Sequence, residues 1–177
     1  MLSPRAGVLA VLALATASCS PYFARYTAPA GAEPTGFYED QARPDLALLE
    51  FRLAQYFDKS DRLYETVCAV AANIRSPVPD SVIVPLDTDV EQKLLLRFSG
   101  LSPASQCKRE GLAIIDRDSG ADAALFDVHE LECETARKCS AWGGYYAFGP
   151  HGWSWYWLTW NGREWRIKRR EMDITLT

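Results

Sequence analysis

The chain has 177 residues, 48% of them hydrophobic, enough apolar material for one domain with a sizeable core. A formal charge of −4 at pH 7 argues against a nucleic-acid partner, which would call for a basic face. The sequence holds no phosphate loop, dinucleotide fingerprint or His-Glu-x-x-His zinc helix, so neither a cofactor nor a resident metal is expected.

The N-terminus begins with one positive charge, Arg5, followed by an unbroken apolar run over 6–15. That run is about half of the ~20 residues a spanning helix needs, which suits the core of a signal peptide. Small residues then lead into a cysteine, Ala15-Thr16-Ala17-Ser18-Cys19. This resembles the lipobox of bacterial lipoproteins, although Thr16 stands where Leu is commonest. Ala15-Thr16-Ala17 also offers the A-x-A cut of an ordinary secretory signal. The resemblance implies a signal peptide over 1–18 and acylation of Cys19, with two or three acyl chains such as palmitate giving stable membrane anchoring. Ser20 in the following position resembles lipoproteins sorted to the outer membrane, facing the periplasm. From 19 to 41 the chain is rich in Ala, Pro, Gly and Thr with no hydrophobic period, a tether ahead of a single domain over 42–177. Losing Arg5 with the signal shifts the formal charge from −4 to −5.

Without Cys19, four cysteines remain, and an even number in an exported chain favours two disulfides. Cys133 and Cys139 flank a short polar turn, and a hairpin centred on Ala136 sets them opposite each other. Cys68 then pairs with Cys107, tying a helix to a distant loop. The competing arrangement is a zinc site from His129, Cys133, Cys139 and His151, whose spacing is not that of a tight metal knuckle.

In chain order, Leu46, Leu49, Leu53, Tyr56 and Phe57 form a helical stripe over 45–58, with Pro44 suited to the first turn. Leu63, Val67, Val70, Ala71 and Ile74 fit one face of a second helix, giving a helical hairpin. A short strand is expected over 81–86. Thr88-Asp-Val-Glu91 reads as a capping box opening a third helix, with Val90, Leu94 and Phe98 inward. Strands follow over 112–115, 123–133, 138–148, 153–160 and 163–176. Asn161-Gly162 predicts a two-residue type I′ turn between the last two. Helices first and antiparallel strands afterwards is an α+β pattern, helices packed on one face of a curved sheet.

The ending Trp160-Asn-Gly-Arg-Glu-Trp165-Arg-Ile is similar to the closing strand of small nuclear-transport-factor-2-like (NTF2-like) or cystatin-like domains. That resemblance implies an α+β cone and leaves the activity open, because such folds host enzymes, binding modules and scaffolds.

Three features carry candidate chemistry. Alternation puts Trp153, Trp155 and Trp157 on one face, and a two-residue turn would pair them with Arg170, Lys168 and Arg166. Such an indole–cation ladder either stiffens a solvated sheet or binds a glycan, a headgroup or a partner protein. A change of inward parity after Arg170 calls for a bulge near Arg169 or Arg170. Asp116-x-Asp118-x-Gly120-x-Asp122 resembles a calcium loop but lacks the closing Glu, and its residues are those of an ordinary turn. Asp127 and His129 share a strand face with Glu130 and Glu132 pointing away, an arrangement able to orient a general base. The sequence therefore supports a non-enzymatic binding or scaffold lipoprotein, meeting an envelope protein or glycan. The alternative is a small pocket hydrolase or isomerase using Asp127 and His129.

Overall fold

A computed structural model describes residues 36–71, 85–147 and 152–174, with side chains through Arg169. Cys19, the signal peptide, most of the tether and His151 lie outside the described residues, as do 81–84 of the expected strand and the side chain of Arg170.

A short 3-10 turn, Phe37–Glu39, leads into α1, Pro44–Phe57, with Pro44 in the first helical turn. Strand β1, Thr66–Ala71, follows, then α2, Thr88–Arg97. After a second 3-10 turn, Ala104–Gln106, come β2, Cys107–Glu110, and β3, Ala113–Asp116. The chain ends in β4, Ala123–Thr135, β5, Lys138–Tyr146, β6, Gly152–Trp160, and β7, Trp165–Ile174.

Five strands form one sheet in the order β1-β4-β5-β6-β7, while β2 and β3 make a separate antiparallel pair. Within the large sheet β1 runs parallel to β4 and the remaining pairs are antiparallel. This overturns the expected NTF2-like or cystatin-like cone of helices on a curved antiparallel sheet. The described residues hold two α-helices and a mixed sheet, and the second expected helix is β1. The cause is local. Val67-Cys68-Ala69-Val70 is buried without a break, and a continuous apolar run satisfies a helical stripe and a two-sided strand equally well. Parallel pairing with β4 between two covered faces selects the strand.

The first face of the sheet packs against α1. Leu46, Leu49 and Leu53 meet Ala124, Phe126 and Val128 of β4, with Ala141, Tyr156, Leu158 and Trp165. Phe126 stacks on Tyr145 and meets the edge of Tyr56. Helix α2 closes the same core through Val90, Leu94 and Phe98. Thr88 is its first residue rather than its cap, and Glu91 accepts the Ala104 N–H at 2.7 Å, so the expected capping box is not formed.

Folding begins ahead of residue 42. Phe37 is in the core, and its N–H donates to Glu50 Oε2 at 2.6 Å. Glu50 is fully buried and its Oε1 lies 2.5 Å from Arg97 Nε, an ion pair outside hydrogen-bond angles. Burial raises the Glu50 carboxyl above its ordinary range, opposed by the Arg97 charge and by the N–H groups of Phe37 and Tyr38.

Both disulfides form. Cys133 and Cys139 are register partners across the β4–β5 hairpin, with Cα atoms 4.0 Å apart, which consumes the thiols that a zinc site would need. Cys68–Cys107 joins β1 to β2, rather than a helix to a loop. This second bridge seats the β2–β3 pair on part of the other sheet face, where Ala104 and Ile114 pack against Val70, Ala123 and Leu125.

Candidate functional site

The second sheet face is covered at the β1 end by β2 and β3, and three cross-strand rows follow, running from buried to open. The first row is Asp127–Gly144–Trp153, the second His129–Trp142–Trp155, and the third Glu132–Ser140–Trp157–Lys168. Residues directly opposite in neighbouring strands share a face, so each row is one continuous strip of surface.

The first row is closed. Trp153 is 8% exposed, and its indole crosses Gly144 to donate from Nε1 to Asp127 Oδ1 at 2.9 Å. A Cβ on Gly144 would collide with the Trp153 ring and the Gly152 carbonyl, so only glycine lets the indole lie this close. The other carboxylate oxygen of Asp127 is 2.8 Å from His129 Nδ1. Tyr146 meets the edge of Trp153 at 4.3 Å between centroids and lies beneath the Arg109 guanidinium. Burial pushes the Tyr146 phenol well above its ordinary range, the Asp127 charge adds to this, and Arg109 opposes it.

Asp127 and His129 therefore do come together. They sit on the face away from α1, and the space between helix and sheet is filled by leucines, Phe126 and Tyr156. The His129 side chain is only 12% exposed. What the pair does in the structure is orient Trp153, satisfying an indole N–H that would otherwise be buried unpaired.

A bulge separates the first two rows from the third. Between His129 and Glu132, β4 spends three steps where β5 spends two, and Glu130 takes a positive φ of 51°. The extra residue reverses the alternation, so Glu132 joins the face of Asp127 and His129 instead of pointing away as strict alternation requires. It also turns Cys133 inward to meet Cys139.

In the second row Trp155 is half-buried, its ring edge-on to Trp142 at 5.2 Å. In the third, Trp157 is 50% exposed. Beside it lies a shallow groove of about 200 Å³, bounded by Glu134, Lys138, Ser140 and Thr159 as well as the indole. The three tryptophans thus grade from buried to open and do not make a uniform ladder.

Their expected cation partners are also displaced. The loop from β6 to β7 holds four residues, not two: Asn161 Oδ1 accepts the N–H groups of Arg163 and Glu164 at 2.9 Å each, and Gly162 has a φ of 100°. Trp160 and Trp165 flank this turn as a cross-strand pair. The register moves by two residues, which preserves faces and changes rows. Trp157 opposes Lys168, while Arg166 opposes Thr159 and pairs with Glu164 at 2.6 Å. Arg170 lies within the irregularity between the Ser154–Asp173 and Tyr156–Arg169 pairs, where the change of parity calls for a bulge.

The Asp116 loop is a structural turn. Asp116 Oδ1 accepts the N–H groups of Asp118 and Ser119 and the Ser119 hydroxyl, while Oδ2 accepts Thr66 and Gln106. These bonds, the Ser119 N–H foremost, hold its carboxyl far below the ordinary range.

Glu134, Lys138, Ser140, Trp142 and Thr159 are site residues that sequence reasoning did not single out, and Glu132 is one that strict alternation turned the wrong way. A period-2 reading of β5 places Lys138, Ser140 and Trp142 on one face, whereas the bulge that brings in Glu132 has no glycine or proline to mark it. Comparison with family models, with curated proteins and with solved structures finds no match to this chain.

Proposed function

We propose that the chain is a non-enzymatic binding module anchored in the bacterial envelope. Acylated Cys19 holds it at the outer membrane facing the periplasm, and the tether spaces the domain from the lipid. The open half of the second sheet face meets an envelope protein or glycan. The observation that carries this reading is Trp157, a large indole left 50% exposed on a strand hydrogen-bonded on both sides. An exposed aromatic on a rigid sheet offers a large contact area at small conformational cost. The Asp127–His129 pair supports the same reading, since its carboxylate is committed to Trp153.

The test has two arms in the full chain. Cys19→Ser should move the protein from the membrane to the soluble fraction, and mass spectrometry of the wild type should find an acylated N-terminal cysteine. An unmodified mature N-terminus overturns the anchor. Trp155→Ala with Lys168→Ala, folding verified by circular dichroism, should abolish crosslinked capture of envelope components. Unchanged capture overturns the binding face.

A further inference from the structure

We infer that the groove beside Trp157 is a saccharide site, in which the indole carries the apolar face of a pyranose ring. This rests on the binding-face reading above and narrows it to one ligand chemistry.

Size argues first. A stable protein interface buries roughly 1,200–2,000 Å² around an apolar centre. Among the described residues, the open apolar surface is one half-exposed indole with the half-buried Trp155 and Trp142 beside it, rimmed by charged and hydroxyl side chains, far short of such an area. The groove of about 200 Å³ is also smaller than the ~300–1,000 Å³ of pockets for drug-sized ligands, a scale suited to a single ring.

Charge argues second. The acidic Glu132 and Glu134 are matched by Lys138 and Lys168 around the same indole, and the nearby Arg166 is neutralised by Glu164. The balance disfavours phosphate or a nucleic-acid backbone, each of which calls for uncompensated cations. What remains is a ring-sized neutral ligand.

The polar inventory supplies the third argument. Ser140 and Thr159 each donate and accept, Glu134 accepts, and Lys138 donates, all around one flat apolar platform. A pyranose presents the complementary pattern, with C–H groups on its face and hydroxyls around its edge. The platform is preorganised, because β6 is paired with both β5 and β7 and the Cys133–Cys139 bridge pins the hairpin beside it. Extended β-1,4-linked chains show successive ring faces, so one ring lies on Trp157 while its neighbours reach the hydroxyl and charged groups that bound the groove.

The experiment is titration of the full-length protein with cellotetraose and chitotetraose, read by tryptophan fluorescence and calorimetry. Saturable binding of at least one is expected. Trp157→Ala should weaken it by about tenfold, consistent with the loss of one stacking contact. Trp157→Phe should restore most of it, and Glu134→Gln with Lys138→Met should weaken it without moving the folding midpoint. No binding of either oligosaccharide, with envelope capture still dependent on Trp155 and Lys168, overturns the saccharide site and leaves the binding face standing. Binding that survives Trp157→Ala unchanged also overturns the site. Loss of that capture dependence together with absent oligosaccharide binding overturns both readings.

Discussion

The two faces of the five-stranded sheet obey different rules. On the α1 side, Phe126, Tyr156 and Leu158 pack with the leucines of the helix into one continuous apolar core. On the other side the same strands carry Asp127, His129, Ser140 and a run of tryptophans, only partly covered by β2 and β3. The first face is built for burial, and its contribution scales with apolar area removed from water. The second is built for position. Its buried part is a hydrogen-bonded set in which Gly144 admits an indole and Asp127 fixes it, and its open part displays what that set leaves in solvent. One strand serves both purposes because successive side chains point to opposite sides.

The largest effect that should separate the faces comes from truncating one aromatic on each. Phe126→Ala empties a site that is 1% exposed and should cost about 3–5 kcal/mol in urea denaturation. Trp157→Ala should stay within about 0.5 kcal/mol of wild type. A large stability loss at Trp157 would make it a core residue and break the distinction.

Next come the bridges. Cys68–Cys107 spans 39 residues and secures the covered half of the second face, whereas Cys133–Cys139 spans only 6. Loop entropy puts their contributions at about 4 and about 2 kcal/mol, so replacing the first pair by serines should lower the midpoint further. Equal losses would show that the β2–β3 cover adds little order to this face.

The smallest expected effect is one of pH, and it has opposite signs at two carboxyls. Asp116 is held below its ordinary value, so its contribution is whole above about pH 4 and fades as the pH falls further. Glu50, on the α1 side, is raised by burial, so its contribution is whole below about pH 4 and fades as the pH climbs through its folded value. Asp116→Asn should flatten the acid limb of stability, and Glu50→Gln the limb above it, in urea midpoints taken across that range. A Glu50→Gln profile identical to wild type would show that Arg97 fully offsets the burial of the charge.

Much of this was legible where chemistry is local. Helix α1 with its leading Pro44, the strands from β4 onward and the Cys133–Cys139 hairpin follow from residue pattern and spacing. The meeting of Asp127 and His129 needed only their two-residue separation on a strand. β1 was misread because its apolar run fits two periodicities. The last hairpin was read two residues out of register, because the Asn161 side chain builds a wider turn than Asn-Gly alone implies.

By itself the sequence determined the two faces of β6: Tyr156 and Leu158 inward, Trp153, Trp155 and Trp157 outward, a consequence of alternation that no packing detail alters. Tertiary structure decided how deep each outward tryptophan lies. Trp153 is buried because Gly144 leaves room beneath it and Asp127, on a strand two places away, accepts its N–H. Trp157 is open because the bulge at Glu130 brings polar Glu132, not an apolar side chain, into its row. Burial depends on which neighbours the long-range pairing supplies, and no local period encodes those neighbours.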